Sequence, residues 1–114
     1  MRKSTTMLLA FVLLAGAMMS APAHAAEGTP WGTVMAIQSG WVVDRMLVFH
    51  SLPTLVNPDG CSLVTNGYII KETDPARKTF YDMLIAAKTS ARQVAFVIDG
   101  CFENRPRIVS VSLR

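Results

Sequence analysis

"ETDPARKTFYDMLIAAKTSAR", residues 72–92, is the stretch on which the architecture turns. Asp74 can accept a bond from the free amides of a first helical turn, and Pro75 suits the first helical position. Glu72 and Asp74 match the positive end of a helix, and Lys88 and Arg92 the negative end. Between them Phe80, Met83, Leu84 and Ala87 recur at i, i+3, i+4 and i+7, the rhythm of a helix with one apolar stripe. The spacing predicts an amphipathic helix over about Pro75 to Ala91. On a helical wheel Met83, Ala87, Phe80, Leu84, Tyr81 and Ile85 span roughly 200°, wider than the ~100° that one-sided burial needs. Tyr81 and Ile85, with Lys88 a turn further on, therefore either face a second surface or lie under a long loop of the same chain.

Everything on either side of this helix reads as strand. Upstream, "TPWGTVMAIQ" carries Trp31, Thr33, Val34 and Ala36, a first strand closed by the turn residues Ser39 and Gly40. "DRMLVFHS" holds the apolar run Met46 to Phe49, suited to a strand buried on both faces or at a barrel closure. "LPTLVNPDG" has the proline and glycine content of a loop. "SLVTNGYIIK" gives a third strand, with a bulge or tight turn at Asn66-Gly67. Downstream, "QVAFVID" places Val94, Phe96 and Ile98 on one face, and Gly100 breaks it. "RPRIVSVSLR" closes with Val109, Val111 and Leu113 inward against Ser110 and Ser112 outward.

The first residues set the compartment. Arg2 and Lys3, an apolar run from Met7 to Met19, and Ala23-His24-Ala25 before a cut have the form of a secretory signal peptide. The run is shorter than the about 18–20 residues of a membrane-spanning helix. Residues 1–25 are thus expected to be removed, leaving 26–114 as one secreted or periplasmic domain with no membrane span. The mature domain would hold nine basic and eight acidic residues, so the basic balance of the whole chain owes much to the leader. A basic nucleic-acid-binding surface is poorly supported. Cys61 and Cys101 remain, and two lone cysteines in an exported chain read as one disulfide.

Three strands, a helix and two strands make a mainly β (α+β) domain, in the order of an OB-fold, a five-stranded partly open barrel with one helix between strands three and four. The leader, the cysteine before strand three, "YII" leading into "FYDMLIAAKTS", "VAFVIDGC" and the closing "PRIVSVSL" resemble the binding (B) subunits of AB5 toxins of the subtilase cytotoxin type and their small exported relatives. The likeness runs from about Trp31 to Leu113. It implies an OB-like barrel, a Cys61–Cys101 disulfide, and glycan binding by a homo-oligomer, a pentamer in that family, whose subunits meet at a helix surface such as that of Tyr81, Ile85 and Lys88.

Catalysis finds little footing. His50 is the one histidine left after processing, at the end of an apolar strand, where a hydrogen-bonded structural role fits best. Asp59, Asp74, Asp82 and Asp99 each have a local explanation, and no spacing marks a pair facing one another across a cleft. No metal or cofactor is implied, and the chain reads as a non-enzyme. For binding, OB-folds use the face of strands two and three and the loops joining strands one to two and four to five. Here those loops are "SGWVVD" and "GCFENRP", which nominate Trp41, Asp44, Phe102, Asn104 and Arg105 as ligand contacts: aromatic faces beside hydrogen-bonding groups. The plainer alternative has Trp41 capping the barrel and Phe102 covering the disulfide. The expected function is an exported, glycan-binding module; the alternative is a structural or assembly protein of the bacterial envelope that binds another protein.

Overall fold

The computed structural model describes residues 26–40 and 45–114. The expected leader and residues 41–44, with Trp41 and Asp44 of the expected strand-one to strand-two loop, lie outside the described residues. Among those described, the order is β1 (Glu27–Gly28), β2 (Gly32–Ser39), β3 (Met46–His50), β4 (Tyr68–Ile70), α1 (Arg77–Thr89), β5 (Gln93–Phe102) and β6 (Arg105–Leu113). The fold is mainly β, and the expected succession of three strands, helix and two strands is present, preceded by the two-residue β1.

The pairings run in a partial ring. β2, β3 and β4 form an antiparallel meander, β4 meets β6 in a single parallel pair at Ile69 and Arg107, β6 pairs with β5 along most of its length, and β5 returns to β2 at Gly32 and Thr33. β1 adds to the free edge of β5. Between β1 and β2, Thr29 continues the pairing with side chain and backbone together. Its amide donates to the Phe96 carbonyl at 2.8 Å, and its hydroxyl oxygen accepts from the Phe96 amide at 2.9 Å.

Inside the ring lie Val34, Met46, Val48, Tyr68, Ile70, Val94, Phe96, Ile98, Ile108 and Val111, closed at one end by Phe80, Leu84 and Ala87 of α1. The β5 alternation falls as expected, with Val94, Phe96 and Ile98 fully buried. Burial of side chains this size stabilises by about 1.5–3 kcal/mol each. The last strand departs from strict alternation. Val97 pairs with Ser110 but Ile98 pairs with Ile108, so Val109 is an extra residue in a bulge. A bulge shifts the pleat by one, which turns both Ile108 and Val111 inward and leaves Val109 only half-buried.

Two further bulges correct the expected boundaries. Ile98 and Cys101 of β5 pair with Ile108 and Pro106, so one extra residue sits beside Gly100, whose φ is +74°. The glycine that reads as a strand break is instead a bulge within a strand that runs on to Phe102. In β2, Val34 pairs with His50 and Ala36 with Phe49, so Met35 is extra and its side chain is 59 % exposed.

The helix is shorter at both ends than its spacing predicts. Asp74 accepts from the Ala76 amide at 2.9 Å and its carbonyl from Arg77 at 3.1 Å, a turn that places Pro75 ahead of the first helical residue. At the far end Ala91 adopts φ +52° and the Arg92 amide donates to the Ala87 carbonyl at 2.9 Å. This is a left-handed helix stop made with alanine where glycine is the usual residue.

The expected third strand, residues 62–71, is reduced to Tyr68–Ile70. The residues before it belong to a long connection held by side chains. Tyr68 Oη accepts from the Val56 amide at 2.8 Å, and burial pushes its phenol pKa up. Asn57 accepts from the Cys61 amide at 2.8 Å and donates to its carbonyl at 3.0 Å. Leu63 donates to the Asn104 carbonyl at 2.8 Å, and the Cys61–Cys101 disulfide, with Cα atoms 5.7 Å apart, fixes the connection to β5. These bonds satisfy the backbone without a ladder, so β propensity in "SLVT" is not used.

Candidate functional site

The site is built from the outer face of the meander. In β3 the side chains alternate, so Met46, Val48 and His50 enter the ring while Leu47 and Phe49 stand on the other face. Gln38 pairs with Leu47, and Leu47 with Ile69, which puts these three on the same face of the meander, with Ile69 fully covered and Leu47 buried there. There a cleft of about 320 Å³ is lined by Gln38, Arg45, Leu47, Phe49, Asn66 and Arg105. Its lining combines two apolar side chains, two amides and two guanidiniums.

Those guanidiniums share one carboxylate. Arg45 Nη1 donates to Glu103 Oε2, and Arg105 Nη1 lies 3.9 Å from that same oxygen. Arg105 Nη1 also donates to the Glu103 backbone carbonyl at 3.1 Å. The Arg105 residue is 8 % exposed, and its Nε has no hydrogen-bond partner. Phe102 and Arg105 pair across a two-residue hairpin turn of Glu103 and Asn104, with φ +46° and +62°. Both central residues of such a turn need positive φ, which Asn and Gly adopt readily and Glu does not. Holding a side-chain-bearing residue there costs roughly 1–2 kcal/mol.

Of the residues nominated from sequence, Arg105 lines the cleft. Asn104 is exposed at the turn, and its carbonyl anchors Leu63. Phe102 is half-buried, with Lys71 Nζ 5.4 Å from its ring centroid. Sequence reasoning did not single out Gln38, Arg45, Leu47, Phe49 or Asn66. The apolar run Met46 to Phe49 was the available signal, since a strand apolar on both faces implies that its outer face is also put to use. On α1, Tyr81 and Ile85 are 43 % and 38 % exposed and Lys88 is exposed, on the face turned from the core.

His50 occupies an interior position. Its Nε2 lies 3.2 Å from the Val94 carbonyl and its ring 5.3 Å from that of Phe96. Burial pulls its pKa below the ordinary value, against a smaller upward effect of the Val94 hydrogen bond. A β-carbon on Gly32 would fall 2.5 Å from His50 Cε1, so glycine is what admits the ring. Among the described residues no group of three or more His, Cys, Asp or Glu is arranged to hold a metal ion, and no helix is long and apolar enough to cross a membrane. Comparison with protein-family models, with curated proteins and with solved structures returned no match.

Proposed function

We propose that the chain is an exported, non-catalytic binding module of OB-like architecture that takes a glycan on the outer face of β2 and β3. The cleft carries this reading: the half-buried Phe49, beside the largely covered Leu47, offers an aromatic surface for a sugar ring, and Gln38 and Asn66 supply donors and acceptors for its hydroxyls. The partly closed ring of pairings, with a meander, a parallel contact between β4 and β6 and a helix before β5, supports an OB-like reading. The disulfide fits an oxidising compartment and the expected leader. The exposed apolar pair Tyr81 and Ile85 fits a homo-oligomer of the kind that toxin binding subunits form, with a second copy of the chain as the partner.

A glycan array probed with the mature protein, followed by nuclear magnetic resonance mapping of any hit, tests the reading. Binding that shifts the resonances of Gln38, Leu47 and Phe49 and is lost in Phe49→Ala supports it. Glycan binding mapped to another surface overturns the placement on β2 and β3, and binding to no glycan favours the alternative of an envelope assembly protein.

A further inference from the structure

We propose that Asp99 receives the N-terminal ammonium that removal of the leader creates at Ala26, an ion pair that fastens β1 to the edge of β5 only in the processed chain. The inference rests on the expected export, with its cut after Ala25, and adds what the cut does to the fold. Glu27 pairs with Ile98 and Gly28 with Val97, so the same antiparallel register sets Ala26 opposite Asp99. The Thr29 amide donates to the Phe96 carbonyl. By the alternation of an antiparallel ladder, Glu27 and Ile98 form the next hydrogen-bonded pair, and Ala26 and Asp99 the narrow pair beyond it, with Cα atoms about 4.5 Å apart. Directly opposed residues of such a pair share a face, which brings the Ala26 nitrogen, one bond from its Cα, within reach of the Asp99 carboxylate.

Asp99 has a place for a cation and none to fill it. It is half-buried, next along β5 to the fully buried Ile98, and among the described residues its carboxylate makes no ion pair. Arg107 lies beside Ile108, the β6 partner of Ile98, but its guanidinium is directed to Asp74, 3.7 Å away. The ladder also stops where the processed chain starts. The next amide along β5, that of Gly100, donates to Asp59 Oδ2 at 2.5 Å, so it is not there for a residue ahead of Ala26. In the uncut chain the Ala26 nitrogen is a neutral amide. Hydrolysis of the Ala25–Ala26 bond by a leader peptidase adds the hydroxyl of water to the Ala25 carbonyl and its hydrogen to the Ala26 nitrogen. The amine so formed takes up a proton below its ordinary pKa of about 8. β1 has only two paired residues, both exposed, so one opposite-charge pair at its end weighs heavily on whether it stays docked. With β1 docked, the edge of β5 is covered against pairing with another chain.

Hydrogen exchange at the Glu27 and Ile98 amides tests this in the mature protein beginning at Ala26. The comparison is with the same chain acetylated at its α-amino group, and with Asp99→Asn in both forms. Acetylation removes the charge and leaves the backbone of β1 as it is. At about pH 6.5, where the amine is protonated, the free chain is expected to protect both amides about threefold more than the acetylated one. In Asp99→Asn the two forms are expected to be protected alike, and in the wild type the difference is expected to vanish above about pH 9, where the amine is neutral. Equal protection of the free and acetylated wild-type chains overturns the proposal, and so does a difference that survives Asp99→Asn. N-terminal sequencing of the exported protein separates the two ways of failing. A start several residues away from Ala26 overturns the ion pair and leaves export standing, whereas a retained leader overturns both.

Discussion

Gly67 packs its α-carbon against the backbone of Val48: a β-carbon at residue 67 would lie 2.7 Å from the Val48 carbonyl oxygen. Gly67 also has φ +76°, so two independent constraints demand glycine at the entry to β4. The obstructing atom belongs to the central strand β3 and cannot swing aside as a side-chain tip would. Gly67→Ala is expected to cost about 2 kcal/mol or more, through strain at positive φ plus displacement of the β3–β4 ladder. Urea unfolding of the two proteins checks this; a variant within about 0.5 kcal/mol of the wild type, the size of an ordinary surface effect, would show that the strands separate easily.

The Cys61–Cys101 bond closes a loop with a sequence separation of 40 residues. Around it, Asn57 brackets the Cys61 backbone and Asp59 Oδ2 accepts from the Gly100 amide at 2.5 Å. In the chain-entropy description the bond contributes about 4 kcal/mol. The Cys61→Ser, Cys101→Ser double variant is therefore expected to lose about that amount in denaturant unfolding, and to lose protection of the 52–67 connection before that of β5 and β6. Hydrogen exchange separates the two stages. Simultaneous loss of protection everywhere would mean that the connection and the sheet unfold as one unit.

His50 makes stability depend on pH. Burial lowers its folded-state pKa below the 6.5 of the unfolded chain. Below about pH 6.5 the unfolded state consequently binds more protons than the folded state, and stability falls as pH drops. The contribution is complete above pH ~6.5, declines from there through the folded pKa, and is flat below it. Unfolding free energies between about pH 7.5 and 5.5 are expected to decrease in the wild type. His50→Gln is expected to be less stable at neutral pH, yet nearly level across the same window. A wild type that is level there too would place the proton on a solvated imidazole in the folded protein.

How much of this was legible depended on the range of the interaction. The helix and the β5 alternation follow from residues a few positions apart, so Phe80, Leu84, Ala87, Val94, Phe96 and Ile98 could be assigned to the core from spacing alone. The bulges at Met35, Gly100 and Val109 arise from pairing between strands, and a one-residue slip leaves no local mark. β4 is shorter than the expected third strand because side chains of Asn57 and Tyr68 take over backbone satisfaction in the connection before it. The cleft shows the same division. Arg105, nominated by its place in a loop that OB-like proteins use, lines the cleft, while Arg45 leaves no local mark because its partner Glu103 is 58 residues away. Leu47 and Phe49 were visible only as members of an apolar run, without the face that β2 gives them.

The exposed helix face decides whether the chain works alone. Phe80, Leu84 and Ala87 are spent on the core, and Tyr81 and Ile85 remain open, between the Lys78–Asp82 pair and Lys88. Tyr81 also lines a cleft of about 340 Å³ with Met46, Ser39, Arg77 and Lys78, so the open face is contoured. A second copy seated on this face would bury Ile85, and a lysine there would carry an unpaired charge into the contact at a cost of several kcal/mol. The same lysine on a free monomer would be solvated, because Ile85 is not part of the core. Light scattering of the mature protein at micromolar concentration is expected to report an oligomer for the wild type. Ile85→Lys is expected to scatter as a monomer with an unchanged thermal midpoint in dilute solution, its dissociation constant raised about a hundredfold or more. A wild type that stays monomeric throughout the micromolar range refutes the oligomer. An Ile85→Lys variant that still associates moves the contact to another surface, with Met35 on the β2 bulge the next exposed apolar side chain to replace.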